Sequence, residues 1–167
     1  NADKHDSQDI CFVPDGDYAH FIEKWCGFRF TEGDFVDRDG NFIAKHKGII
    51  NYTIGQRKGL GIAAKAPYYV VSKDLAKNRV VLGSNDDLFS NHLEATDLNF
   101  ISIEKLTEPM RVKAKVRYRQ KETDAVITPL KNGNVSVDFK TPQRAIAPGQ
   151  AVVFYDGDIV VGGGTII

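Results

Sequence analysis

The stretch that decides the fold is Met110–Arg119, which reads Met-Arg-Val-Lys-Ala-Lys-Val-Arg-Tyr-Arg. Because successive side chains of a β-strand point to opposite faces, this alternation predicts a strand with one apolar face and one face of five cations. Like charges along one face repel each other. Two interpretations stay open. Acidic neighbours on adjacent strands could neutralise the cations, or the cations could bind phosphate, with Arg117, Tyr118 and Arg119 at the end of the stripe.

Short strand patterns flank this stretch from residue 87 to residue 167. Asn132-Gly133 and Asp156-Gly157 supply hairpin turns between them, because these residue types accept the backbone conformations that tight turns need. Several short strands with regular turn signals predict a small closed β-barrel. Gly162-Gly163-Gly164 predicts a bend within a strand. The other strands of the barrel are predicted at Ala95–Ile101, Ala125–Leu130, Val135–Phe139, Ala151–Tyr155, Ile159–Val161 and Thr165–Ile167.

A composition shift near residues 86–91 separates this barrel from residues 3–86, which predict a small α+β central domain with an irregular lead-in at 3–13. Arg38-Asp39-Gly40 lies between two apolar pairs and predicts a hairpin. Strands are predicted at Tyr68–Ser72 and Arg79–Leu82, whereas Gly48–Ile54 fits a short helix or a strand. A helix, capped by Asp15 or Asp17, is predicted from the apolar spacing of Tyr18, Phe21, Ile22 and Trp25. The fold class is therefore mainly β with minor α.

Composition narrows the function classes. The 167 residues have a formal net charge of zero, so a nucleic-acid surface would have to come from local clustering of cations. Apolar runs are too short for a membrane span, which predicts no membrane partner. The two cysteines, Cys11 and Cys26, do not make a disulfide framework, and this favours a reducing, cytoplasmic setting.

The residues that could carry chemistry are few. Cys11 has both basic and acidic neighbours, so its local context leaves a buried and a reactive thiol open, whereas Cys26 is interpreted as structural. The spacings of the cysteines and histidines match no zinc motif, so no metal site is predicted, and His46 between two lysines is expected to be exposed. The glycine loop, Gly55–Gly61, is not a P-loop, but its Gln56-Arg57-Lys58 segment is a candidate phosphate contact.

Five motifs occur together in one order along the chain. They are Asp6-Ser7-Gln8-Asp9-Ile10-Cys11-Phe12, Tyr52–Ile62, Arg117-Tyr118-Arg119-Gln120, Pro148-Gly149-Gln150-Ala151 and Gly162-Gly163-Gly164. In this set the chain resembles the central and C-terminal parts of the tRNA-specific 2-thiouridylase family, once described as tRNA (5-methylaminomethyl-2-thiouridylate) methyltransferases. No pattern for S-adenosylmethionine is present. The resemblance implies an upstream ATP-pyrophosphatase domain of the PP-loop type, which this chain lacks. It also implies that ATP with magnesium adenylates the C2 oxygen of the wobble uridine (U34), which persulfide sulfur then replaces as AMP leaves.

The resemblance also implies roles for single residues. Cys11 would carry the persulfide, and Arg117, Tyr118 and Gln150 would contact tRNA. The tRNA surface would extend to Gln56, Arg57, Lys58 and Arg119. The implied partners are tRNAs that accept lysine, glutamate or glutamine and a sulfur-donor protein of the cysteine desulfurase or relay type. No cofactor is expected within this chain, which alone should be inactive as a tRNA sulfurtransferase. The alternative is a stand-alone RNA-binding β-barrel without a catalytic role.

Overall fold

The computed structural model describes residues 13, 17–27 and 29–167, which form a four-stranded sheet followed by a closed six-stranded barrel. The mainly β architecture with minor α predicted from the sequence is confirmed. In chain order the elements are α1 (Tyr18–Cys26), β1 (Gly33–Val36), β2 (Phe42–His46), a 3-10 helix (Ile49–Asn51), β3 (Tyr69–Asp74), β4 (Arg79–Gly83), a second 3-10 helix (Asp86–Leu88), β5 (Phe89–Phe100), β6 (Met110–Lys115), β7 (Thr123–Pro129), β8 (Val135–Arg144), β9 (Ala151–Asp156) and β10 (Ile159–Ile166).

The sheet has the strand order β2-β1-β4-β3, with β1 parallel to β4 and the other pairs antiparallel. The predicted hairpin joins β1 to β2, and Gly40 in its turn has a φ of 87°, which favours glycine. Apolar side chains such as Phe35, Val70 and Leu82 form the core of the sheet. The segment left open at Gly48–Ile54 contains the first 3-10 helix rather than a strand.

The barrel closes in the strand order β10-β5-β8-β7-β6-β9. Alternation along β6 directs Val112 and Ala114 into the core, beside Ile127 and Phe154, and leaves Arg111 and Lys113 exposed. The predicted pair Ile159–Val161 and Thr165–Ile167 is one continuous strand, β10, that passes through the three glycines. A Cβ on any of these glycines would come within 2.7 Å of a backbone oxygen of a neighbouring strand, which explains why the close pairing there requires glycine.

Helix α1 begins as predicted, because the Asp17 side chain accepts the backbone N–H of His20 at 3.0 Å; Asp15 lies outside the described residues. Its apolar stripe, however, is not buried: Trp25 is 82% exposed and Cys26 is exposed as well. The interpretation of Cys26 as a structural cysteine is therefore wrong. None of the helices in the described ranges has the length and hydropathy that a membrane span needs.

Two further sequence predictions are wrong. His46 is 1% exposed rather than solvated, because Gly33 brings the β1 backbone close to its ring and Phe35 and Tyr52 pack against it. The strand predicted over Met110–Arg119 ends at Lys115, so three of its five cations lie on the strand and two lie beyond it. The chain then bends at the buried Val116.

Candidate nucleic-acid interface

The bend after β6 carries a four-residue turn, Arg117–Gln120, hereafter the Arg117 turn. The backbone N–H of Gln120 donates to the Arg117 carbonyl at 3.1 Å and closes it. Two side chains then fix the turn to the segment at the end of β8. Arg117 Nη2 donates to the Ala145 carbonyl at 2.8 Å, and Gln120 Nε2 donates to Gln143 Oε1 at 2.5 Å. Both ends of the turn are therefore anchored, and its conformation is set before any ligand binds.

The orientation of the Gln120 amide follows from a chain of hydrogen bonds. Gln143 Nε2 donates to the Thr141 carbonyl at 2.5 Å, and because a carbonyl only accepts, Gln143 must present its oxygen to Gln120. Gln120 therefore uses its nitrogen in this contact. Its Oε1 is buried and has no hydrogen-bond partner within the described ranges.

The middle of the turn projects into solvent. Tyr118 is 80% exposed, and Arg119 is exposed beside it. The Lys115 Nζ lies 5.6 Å from the centre of the Tyr118 ring, within the range of a cation–π contact. An exposed aromatic ring among cations offers a stacking face for an unpaired base and positive charge for the adjoining phosphates.

The outer face of β6 differs from the turn. Lys113 pairs across the strands with Asp124, and its Nζ lies 3.9 Å from a carboxylate oxygen of Glu122. The five alternating cations of Met110–Arg119 were given two interpretations, neutralisation by acidic neighbours and phosphate binding. Each interpretation fits a different part of the segment. Acidic neighbours accompany the strand, whereas Arg117 makes its hydrogen bond to a backbone carbonyl instead of a carboxylate.

Ala145 connects the Arg117 turn to the sheet. It has a φ of 54°, its carbonyl accepts the Arg117 hydrogen bond, and its N–H donates to the Leu88 carbonyl at 2.8 Å. A Cβ built on Gly55 would lie only 2.9 Å from the Ala145 Cβ. The first residue of the glycine loop therefore packs directly against the residue that holds the Arg117 turn.

The glycine loop is closed by its own glutamine. Gln56 Oε1 accepts the backbone N–H of Thr53 at 2.9 Å, and Gln56 Nε2 donates to the Lys58 carbonyl at 3.0 Å. This use of the amide makes Gln56 a brace of the loop, while the side chains of Arg57 and Lys58 are exposed. The loop forms one side of an open groove of about 620 Å³ that continues along residues 62–68.

Gln150, the remaining predicted tRNA contact, lies on the connection from β8 to β9, five residues after Ala145. Its carbonyl accepts the N–H of Ile166 at 2.8 Å, and its N–H donates to Ala147 at 3.2 Å. The backbone thus joins the connection to β10, and the side chain is exposed. Its role in tRNA binding stays a prediction.

Two family models match the chain. The tRNA methyl transferase PRC-barrel domain matches residues 19–84, and the aminomethyltransferase beta-barrel domain matches residues 90–166. The tRNA-specific 2-thiouridylase of Acetivibrio thermocellus is 62% identical over 165 residues, which are 99% of this chain and 46% of that protein. Those of Thermoanaerobacter sp. (59%) and Clostridium acetobutylicum (53%) match over 99% and 98% of this chain and 45% and 46% of their own lengths. The chain belongs to the tRNA-specific 2-thiouridylase family. It spans a little under half the length of these relatives.

The family resemblance implies ATP, and the glycine loop does not have the frame of an ATP-phosphate loop. The glycine loop follows a 3-10 helix and leads through residues 62–68 into β3, so no α-helix begins at the loop to bind phosphate with its free N–H groups. Within residues 13, 17–27 and 29–167, no three His, Cys, Asp or Glu side chains gather to hold a metal ion. Cys11, the family's predicted persulfide carrier, lies outside the described residues.

One cluster on the outer face of the barrel superficially suggests hydrolysis. Ser136 Oγ donates to Asp138 Oδ2 at 3.0 Å, and His92 Nδ1 lies 2.8 Å from Asp138 Oδ1. The hydrogen bond from His92 holds the pKa of Asp138 below its ordinary value. A nucleophilic serine must give its proton to the imidazole, whereas here the hydroxyl faces the carboxylate, so the cluster is structural.

Sequence reasoning missed Gln143, Arg144 and Ala145 in this thiouridylase-family chain. These residues lie at the end of β8, between the Arg117 turn and the glycine loop. They match no motif, alternation or charge run. The contacts that join them to the Arg117 turn and to Asn85 span 23 to 59 positions along the chain. Only the closure of the barrel and its contact with the sheet bring these residues together.

Proposed function

We propose that the chain is the tRNA-holding part of an enzyme that replaces the C2 oxygen of the wobble uridine in tRNA with sulfur. The relatives' names give 2-thiolation of uridine in tRNA, and the wobble position is what the family resemblance implies. The observation that carries the proposal is the Arg117 turn, which is anchored at both ends and presents an exposed tyrosine among cations.

The geometry supports binding of unpaired RNA. The Tyr118 ring would stack on a splayed base, while the side chains of Arg119 and Lys115 would attract the phosphates on either side of it. Because the hydrogen bonds of Arg117 and Gln120 already order the turn, little conformational entropy is lost on binding. Arg57, Lys58 and Gln150 would extend the contact surface.

Two further parts of the reaction are the supply of sulfur and the activation of the uridine. Cys11 is proposed to carry the sulfur, which a donor protein of the desulfurase or relay type would supply. Activation of the uridine is assigned to residues outside this chain, since the glycine loop does not have the frame of an ATP-phosphate loop. On this division of labour, the present chain binds tRNA and positions it without activating it.

Binding to tRNA tests the proposal directly. Fluorescence anisotropy with a glutamate-, glutamine- or lysine-accepting tRNA transcript would compare wild type with Tyr118→Ala and Tyr118→Phe. A lost base stack of about 1–3 kcal/mol predicts that Tyr118→Ala binds about five- to 150-fold more weakly, whereas Tyr118→Phe, which keeps the ring, stays close to wild type. Trp25→Ala is the matched control, because Trp25 is equally exposed but lies on α1. Equal losses for Tyr118→Ala and Trp25→Ala, or no binding by wild type, would contradict the proposal.

A further inference from the structure

Arg144, the last residue of β8, has a guanidinium that two side chains preceding the barrel hold in place. Its Nε donates to Asn85 Oδ1 at 3.2 Å, and its Cζ lies 5.6 Å from the centre of the Tyr69 ring. The residue is half-buried. Its planar group is therefore oriented before a ligand arrives, and less entropy is lost for each hydrogen bond that it forms.

The guanidinium keeps most of its hydrogen-bonding capacity. Arginine has five N–H donors, and only Nε is used in hydrogen bonds between described residues. No carboxylate of residues 13, 17–27 or 29–167 lies within ion-pair distance of it. A fixed, half-buried cation without an acidic partner in this region has the properties of an anion ligand.

The position of Arg144 connects the two predicted RNA-binding segments. Its Nη1 lies 3.6 Å from the position that a Cβ on Gly55 would occupy, at the start of the glycine loop. The next residue, Ala145, accepts the hydrogen bond of Arg117. Arg144 therefore lies where the glycine loop of the sheet meets the Arg117 turn of the barrel.

We propose that Arg144 binds a backbone phosphate of RNA and joins the Arg117 turn and the glycine loop into one phosphate-binding track. The inference rests on the proposed function. A single strand would stack one base on Tyr118, place an adjoining phosphate on the Nη1 and Nη2 groups of Arg144, and continue toward Arg57 and Lys58. Guanidinium pairs bidentately with phosphate, and this fork distinguishes arginine from lysine at the site.

The test is the salt dependence of tRNA binding, measured by anisotropy with wild type, Arg144→Gln, Arg144→Lys and Lys131→Gln. Arg144→Gln should bind about tenfold more weakly at low salt and lower the slope of log K against log salt by about one, as expected for one lost phosphate contact. Arg144→Lys should keep the slope but bind more weakly, because it retains the charge without the fork. Lys131→Gln is the matched control. Lys131 is an exposed cation in the hairpin that follows β7, whereas the Arg117 turn precedes β7.

A different outcome would overturn the inference. If Arg144 only fastened the barrel to the sheet, Arg144→Gln would lower Tm and leave the salt slope unchanged. If Arg144→Gln does not fold, Arg144→Lys decides, because tRNA binding as tight as that of wild type in this variant would contradict a bidentate phosphate contact. Failure of the proposed function has a separate signature, since wild type would then not bind tRNA or would respond equally to Tyr118→Ala and Trp25→Ala.

Discussion

Replacing Gly55 with alanine should disturb the contact between sheet and barrel. The proposed phosphate-binding track depends on this contact. Gly55 has a φ of 88°, a conformation that costs an L-residue about 1–2 kcal/mol. The new Cβ would lie 2.9 Å from the Ala145 Cβ, about 0.6 Å closer than the shortest ordinary carbon contact of ~3.5 Å. Such overpacking costs about 1–3 kcal/mol. With about 0.4–1 kcal/mol returned through the stiffer unfolded chain, a net loss of about 1–4.5 kcal/mol is expected.

Differential scanning calorimetry measures this loss as a fall in Tm of about 2–18 °C for a chain of this length. Gly61→Ala is the control, because Gly61 belongs to the same loop and has a φ of 70°, yet nothing lies within 4 Å of its added Cβ. The control should lose only about 1 kcal/mol from the backbone. The opposing methyl is removed in the pair Ala145→Gly and Gly55→Ala/Ala145→Gly, so Gly55→Ala should cost about 1–2 kcal/mol less in the Ala145→Gly background than in wild type. Equal losses in Gly55→Ala and Gly61→Ala, without a smaller cost in the Ala145→Gly background, would refute the crowding argument.

Three further predictions concern stability and reactivity. Burial lowers the pKa of His46, whose Nδ1 accepts the Gly48 N–H, so the fold favours neutral imidazole. Urea midpoints should therefore fall as pH drops below the unfolded pKa of about 6.5, and less so in His46→Gln. Gly163→Ala, with its Cβ 2.6 Å from the Val152 carbonyl oxygen, should push β9 and β10 apart and lower Tm; an unchanged Tm would contradict this. Cys26 is exposed, so native thiol labelling should proceed as fast as in urea, and slow native labelling would contradict its exposure.

Local patterns in the sequence predicted most of the fold. Alternation over Met110–Lys115 identified β6 and its inward face, and the turn residues around Gly40 identified the first hairpin, because both signals depend on near neighbours. The predicted end of β6 was wrong because the alternation of apolar and charged residues continues to Arg119. The strand ends at Lys115, and the Arg117 turn that follows it is held by a hydrogen bond to the Ala145 carbonyl, a contact that neighbouring residues do not encode.

The candidate site was predictable only in part. The Arg117 turn and the glycine loop were recognised as motifs, but nothing local indicated that Gly55 would touch Ala145 or that Arg144 would lie between the two segments. Burial of His46 was missed for the same reason, since its partner Asn78 is 32 residues away. These contacts depend on how the strands pack within the sheet and on how the sheet meets the barrel, which periodicity and composition do not report.

The central claim is that the Arg117 turn, the end of β8 and the glycine loop bind RNA as one surface. Hydrogen–deuterium exchange of the chain with and without a tRNA transcript tests it most directly, because each segment gives its own peptides. The account predicts that tRNA slows exchange in residues 115–121, 143–146 and 55–61 together, while the hairpin at 130–134 is unaffected. Slowed exchange in only one of the three segments, or mainly at 130–134, would contradict it.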